Sequence, residues 1–186
     1  MPFLILIPLA ALILAGGIYL SLIASRPAKE WRLAPFLRFD YAHRGLYTPD
    51  QAVPENSLPA FRRAAEHGYG AELDVQLSAD GQVVVFHDDD LKRMCGLDKP
   101  VNALTYGELK KLPLGESGER IPLFSEVLKT VGGTVPLIVE LKSGKQNAEL
   151  CRKTWELLRE YEGPFCIESF DPRIVRWFKK NAKNVV

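Results

Sequence analysis

Gly70 to Asp88 reads GAELDVQLSADGQVVVFHD, two strand patterns joined by a polar turn. Ala71 to Leu77 alternates as a strand and Ser78 to Gly81 is a turn. Gln82 to Phe86 is a continuous apolar strand that runs into His87. Side chains two apart in a strand share a face, so Glu72 and Asp74 point to one side. The same spacing recurs in Glu140 and Lys142, at the end of a strand over Pro136 to Leu141. His43-Arg44-Gly45 closes an earlier strand over Phe39 to His43, and His87-Asp88 closes the third. Charged residues are rarely buried unless paired or bound to metal. Imidazoles, carboxylates, an arginine and a lysine at successive strand ends therefore point to a site that handles phosphate and a divalent cation.

Helix patterns fill the intervals. LPAFRRAAEH, Leu58 to His67, follows a cap at Asn56 or Ser57 and stops at Gly68. Thr105 and Glu108 have capping-box spacing ahead of a short helix. Ser125 to Val131, Asn147 to Tyr161 and Pro172 to Ala182 read as further helices, Phe165 to Ile167 as a fifth strand, and Asn184 to Val186 as the opening of a sixth. Alternation of this kind predicts an α/β protein with a parallel sheet covered by helices. An open doubly wound sheet would concentrate its polar residues at one switch point, usually with a Gly-rich phosphate loop, and no G-x-G-x-x-G or Walker sequence is present. A TIM-type (β/α)8 barrel gathers strand-end residues around one mouth, and this is the expected fold, incomplete here with about six strands. Leu73, Val75, Val139 and Leu141 would then pack under the helices while the charges face inward.

The net charge of +1 gives no pointer to nucleic acid. Phe3 to Ala24 holds no charged residue and is long enough to cross a hydrocarbon core of ~30 Å as a helix. No basic residue precedes it and Leu22-Ile23-Ala24 is a poor cleavage site, which favours a retained single-pass anchor over a signal peptide. The expected organisation is an anchor over residues 1–25, a juxtamembrane linker over 26–37 and a catalytic domain over 38–186. Arg26, Lys29 and Arg32 follow the apolar run, so the positive-inside rule places that domain in the cytoplasm. Trp31 fits either the membrane interface or ordinary packing. Cys95, Cys151 and Cys166 lack disulfide or zinc spacing and read as buried thiols.

The motifs together resemble the glycerophosphodiester phosphodiesterase family. The matching stretches are AHRG (Ala42 to Gly45), PENSLPAF (Pro54 to Phe61), Gly70 to Gly96, IPLFSEVL (Ile121 to Leu128), LIVELK (Leu137 to Lys142) and ESFD (Glu168 to Asp171). The resemblance implies a barrel hydrolase that cleaves glycerophosphodiesters to an alcohol and glycerol 3-phosphate with a divalent cation. It assigns Glu72, Asp74 and Glu140 to the metal, His43 and His87 to acid/base work, and Arg44 and Lys142 to phosphate. Glu55 and Asn56 match a motif near the site. Oxygen ligands suit a hard cation, Mg²⁺ or Ca²⁺, and imidazoles titrate near neutrality. The nucleophile is water or the substrate's own hydroxyl.

A barrel of this type typically needs ~250 residues, so residues 38–186 read as a fragment that lacks the last strands. Two other functions compete with the first. One is a phospholipase D-like enzyme acting on lysolipids beside its anchor. The other is a non-catalytic, membrane-tethered phosphate-binding module. Asp88 orients His87 or caps the next turn, and Asp89 and Asp90 are solvated. His67 reads as structural at a helix end, and Glu168 and Ser169 are candidates to line the mouth.

Overall fold

The computed structural model describes residues 3–23, 30–182 and 185. Helix α1 (Phe3–Ile23) carries no charged residue. Its side chains are described from Ala11 to Ser21, all exposed, and among the described residues no helix is long and apolar enough to cross a membrane. The expected anchor is thus not borne out there. The stretch read as a linker contains helix α2 (Glu30–Leu37), and the side chain of Trp31 lies outside the described residues.

Strand β1 (Tyr41–Ala42) leads through the site loop to α3 (Leu58–Glu66), which Ser57 caps by accepting from the Ala60 N–H. Strand β2 (Gly70–Leu77) follows, then β3 (Val83–Val85). A small excursion comes next: β4 (Asp90–Leu91), the single turn α4 (Lys92–Cys95), β5 (Leu97–Pro100), a 3-10 turn over Val101–Ala103, and α5 (Tyr106–Leu109). Glu108 closes the predicted capping box, its carboxylate accepting from the Thr105 N–H at 2.8 Å. Strand and helix alternation then resumes with α6 (Phe124–Val131), β6 (Leu137–Leu141), α7 (Asn147–Leu158), β7 (Phe165–Glu168) and α8 (Pro172–Asn181).

The main sheet has the order β1-β2-β6-β7, all neighbours parallel, with β3 also on β2. This is the expected α/β parallel arrangement, though no barrel closure is seen among the described residues. The third predicted strand is corrected: β3 runs antiparallel to β2, pairing Val75 with Val85 and Leu77 with Val83. The reason is the connection. Ser78 to Gly81 forms a tight turn, Gly81 N–H donating to Ser78 O at 2.9 Å, whereas a parallel return needs about a dozen residues. The predicted sixth strand, Asn184 to Val186, lies largely outside the described residues.

Leu73, Val75, Leu137, Val139 and Leu141 are fully buried and share one core with Phe61 of α3, Phe124 and Val127 of α6 and Ile174 of α8. Each such side chain contributes about 1.5–3 kcal/mol when removed from water. A second core under the excursion joins Val84, Phe86, Leu91, Met94, Val101, Leu109 and Ile121. Of the three thiols only Cys151 is buried; Cys95 and Cys166 are half-buried, correcting the uniform expectation.

Candidate active site

Parallel register gathers the acidic residues. Asp74 pairs with Glu140, and Glu72 precedes Asp74 by two on the same face. One carboxylate oxygen from each of Glu72, Asp74 and Glu140 lies within 4.8 Å of the others. Glu72 is 8% exposed and Asp74 1%. Burial and the Asp74 charge push Glu72 up to about 7, Glu140 adding to the effect and the Arg44 N–H opposing it. The Lys142 ammonium sits 2.9 Å from Glu140 Oε1 and 3.3 Å from Asp74 Oδ1. Burial pulls its pKa down, but the bond to Glu140 and the two negative charges outweigh burial and raise it.

Asn56, 2% exposed, donates from Nδ2 to Asp74 Oδ2 at 2.9 Å. Its Oδ1 is buried without a hydrogen-bond partner, an arrangement that costs about 1–3 kcal/mol. Three crowded carboxylates beside an unsatisfied amide oxygen form an all-oxygen set that suits a hard cation such as Mg²⁺ or Ca²⁺. The residues present fit such an ion.

Next to this cradle, β1 is in register with β2 as Tyr41 to Gly70 and Ala42 to Ala71, which brings His43 level with Glu72. His43 Nε2 is 3.8 Å from Glu72 Oε2, and its side chain is 67% exposed. Arg44 adopts φ +57°, a left-handed conformation that is strained for a side chain of its size. That turn aims its N–H at Glu72 Oε2, 2.9 Å away. Its Nη1 donates to Glu55 Oε1 at 2.9 Å, while its buried Nε has no hydrogen-bond partner and lies 3.7 Å from Asp74 Oδ2. An unpaired guanidinium donor beside a carboxylate cradle is suited to a phosphate oxygen.

His87 arrives by the hairpin rather than at the end of a parallel strand. Phe86 N–H donates to Asp74 O at 3.0 Å, fixing the approach. His87 Nδ1 is 2.7 Å from Asp88 Oδ1, so Asp88 orients the imidazole. Asp88 is held in turn by Arg93, whose Nε and Nη2 reach its two oxygens at 2.7 and 3.0 Å. The other edge of the same guanidinium reaches Glu55 at 3.0 Å from Nη1 and 2.7 Å from Nη2. Burial works to raise the Glu55 and Asp88 carboxyls, but these hydrogen bonds prevail and hold both below the ordinary range.

Ser169 does not join the site: its hydroxyl donates to Leu141 O at 2.8 Å and accepts from the Asp171 N–H. Glu168 pairs with Glu140 in the ladder and is exposed. His67 is structural, its Nδ1 2.8 Å from Arg63 O. Two residues were missed. Gln76 donates from Nε2 to Phe86 O at 2.8 Å and to Asp88 O at 2.9 Å. It continues the period-two polar stripe of Glu72 and Asp74, a signal present in the sequence. Arg93 had no such signal, because α4 is one turn long.

A helix-covered parallel sheet bearing a cation-competent carboxylate cradle, two imidazoles and paired cationic side chains defines an α/β protein whose sheet is consistent with a TIM-type barrel. The chain belongs to the glycerophosphoryl diester phosphodiesterase family, whose model matches residues 43–185. It is 38% identical over 155 residues to a glycerophosphodiester phosphodiesterase of Caldanaerobacter subterraneus, covering 77% of this chain and 63% of that protein. It is 34% identical over 140 residues to human lysophospholipase D GDPD1, covering 68% of this chain and 42% of that protein. An Oleispira antarctica phosphodiesterase solved with the product sn-glycerol-3-phosphate superposes with a TM-score of 0.74 and 30% identity, over 81% of this chain and 65% of that one. The chain thus spans under two thirds of the length of these relatives.

Proposed function

We propose that this chain hydrolyses glycerophosphodiesters to an alcohol and glycerol 3-phosphate. The observation that supports this most is the meeting of Glu72, Asp74 and Glu140 with His43 and the unpaired Nε of Arg44, to which Glu55, Arg93 and Asp88 link His87. The Caldanaerobacter relative is named for this activity, and the Oleispira neighbour holds its phosphate product.

Glu72, Asp74 and Glu140 would hold one divalent cation, with Asn56 beside them. When bound there, such an ion, Mg²⁺ or Ca²⁺, would supply positive charge to polarise a phosphate oxygen and offset developing negative charge. Arg44 presents a guanidinium fork to the phosphate, and Lys142 supplies a compact charge next to it. The two imidazoles divide the proton work: one takes the proton of the attacking hydroxyl, water or the substrate's own, and the other protonates the departing alkoxide.

The test is release of glycerol 3-phosphate from glycerophosphocholine by the purified chain in Mg²⁺ or Ca²⁺. Wild type is expected to release it, and His43→Ala and His87→Ala to lose on the order of 10²–10⁴ in rate. No product with either ion would sink the reading. A lysolipid substrate is the second reading, favoured by the likeness to human lysophospholipase D GDPD1. Choline release from lysophosphatidylcholine but not from glycerophosphocholine would select it. The charge-free stretch Phe3 to Ala24 supports single-pass tethering, and Arg26, Lys29 and Arg32 after it favour a cytoplasmic catalytic domain; carbonate-resistant membrane association that is lost on deleting residues 1–25 tests the tether, and protease protection of the domain in sealed vesicles tests the side.

A further inference from the structure

We infer that Arg93 is the positioning residue of this site: by holding Glu55 and Asp88 in two forks of one guanidinium, it sets both the aim of Arg44 and the tautomer of His87. For its kinetic consequences the inference rests on the hydrolase reading; its consequence for the imidazole rests on geometry alone.

Arg93 spends its donors on the two carboxylates and on the Met94 sulfur. Nε and Nη2 reach Asp88 at 2.7 and 3.0 Å, and Nη1 and Nη2 reach Glu55 at 3.0 and 2.7 Å. Both edges of the planar group are occupied, so it acts through its partners rather than on substrate. On one side, Glu55 Oε1 also accepts from Arg44 Nη1 at 2.9 Å, which leaves Arg44 Nε turned toward Asp74. On the other, Asp88 Oδ1 lies 2.7 Å from His87 Nδ1. An ionised carboxylate only accepts, so in the neutral imidazole Nδ1 carries the proton and Nε2 is left as the acceptor that a general base requires.

The clamp has a firm seat. Arg93 projects from α4 between Leu91 and Met94, both buried in the same apolar cluster as Phe86, the residue before His87. Without the guanidinium, two carboxylates that now share one Nη2 would face each other as like charges. Asp88 would then no longer be held to one orientation against the imidazole. A lysine carries the charge but cannot hold both carboxylates bidentately.

The experiment uses the full chain labelled with ¹⁵N-histidine, the His87 signal being assigned by its loss in His87→Ala. Wild type is expected to show His87 as the Nδ1–H tautomer, and Arg93→Met to show a mixture with an unchanged circular dichroism spectrum. With glycerophosphocholine, Arg93→Met is expected to lower kcat about 10–100-fold, the range for partners that orient an active group, and to raise KM through Arg44. On an Asp88→Ala background it should cost no further kcat. Arg93→Lys should resemble Arg93→Met more than wild type, and it gives the same readings if the methionine variant fails to fold. A His87 that stays Nδ1–H in both variants, or an active protein whose kcat ignores them, overturns the inference. A tautomer shift in the variants, with a wild type that turns over no diester, would uphold the clamp and remove the hydrolase reading instead.

Discussion

Arg44, Gly45 and Asn56 place the chemistry by single backbone torsions. Arg44 and Asn56 hold φ of +57° and +54°, and each directs an N–H group: Arg44 its own amide to Glu72, Asn56 its backbone amide to Arg44 O at 2.9 Å. Asparagine tolerates the left-handed region, whereas for arginine it is strained, on the order of 1–3 kcal/mol. Gly45 follows at φ +78°, and a Cβ there would lie 2.9 Å from Ala60 C and Cβ on α3. Gly45→Ala is therefore expected to destabilise the chain by more than about 1 kcal/mol and to weaken phosphate binding together with stability. Urea unfolding checks the first effect and the inhibition constant of inorganic phosphate the second; an alanine variant as stable as wild type would mean that α3 can yield. At this scale the sequence was informative about which side chains matter, because His, Arg, Glu and Asp have few reasons to recur at strand ends. It was silent on Arg93, whose role depends on two carboxylates brought together by separate loops.

The secondary elements were legible where their own local rules apply. The capping box at Thr105, the glycine stop after Val131 and the strands β2 and β6 all follow from nearest neighbours and period. Strand direction was not legible for Val83–Val85, since an apolar run of three valines looks alike in either sense; the tight turn before it settled the matter. Asp171 shows an element end with a measurable consequence. It caps α8 by accepting from the Arg173 N–H at 2.8 Å, and it ties α7 through Asn147 Nδ2 at 2.7 Å. Its carboxyl is lowered to about 2, first by the Arg173 side chain, against the effect of burial, and further by the Arg173 N–H and Asn147. A depressed carboxyl contributes stability above its unfolded pKa, ~3.9, and loses it as pH falls through the folded value. Asp171→Asn is expected to cost about 0.3–1 kcal/mol at pH 7, a gap that narrows from about pH 4 toward pH 2. Urea midpoints of both proteins across that range give the answer; a constant gap would exclude the charge as its origin.

Across the whole molecule, two parallel strands put three carboxylates together and a hairpin, a loop and a one-turn helix supply what surrounds them. Buried like charges oppose folding, and a cation bound only by the folded state stabilises it by mass action, about 2.7 kcal/mol at one hundred times Kd. Ca²⁺ or Mg²⁺ should accordingly raise the melting temperature of wild type relative to EDTA, and Glu72→Gln should lose most of that increase. An equal increase in the variant would show that the ion binds elsewhere. By itself the sequence determined the α/β class, the shared face of the polar residues on β2 and β6, and which carboxylates, imidazoles and cations are candidates for the site. These are consequences of period and residue chemistry, which are local. Only the tertiary structure decided that His87 returns on an antiparallel strand, that Ser169 serves the backbone, and that Arg93 joins Glu55 to Asp88. Those facts depend on which distant segments lie side by side, and that is set by chain connection and core packing rather than by any pattern along the chain.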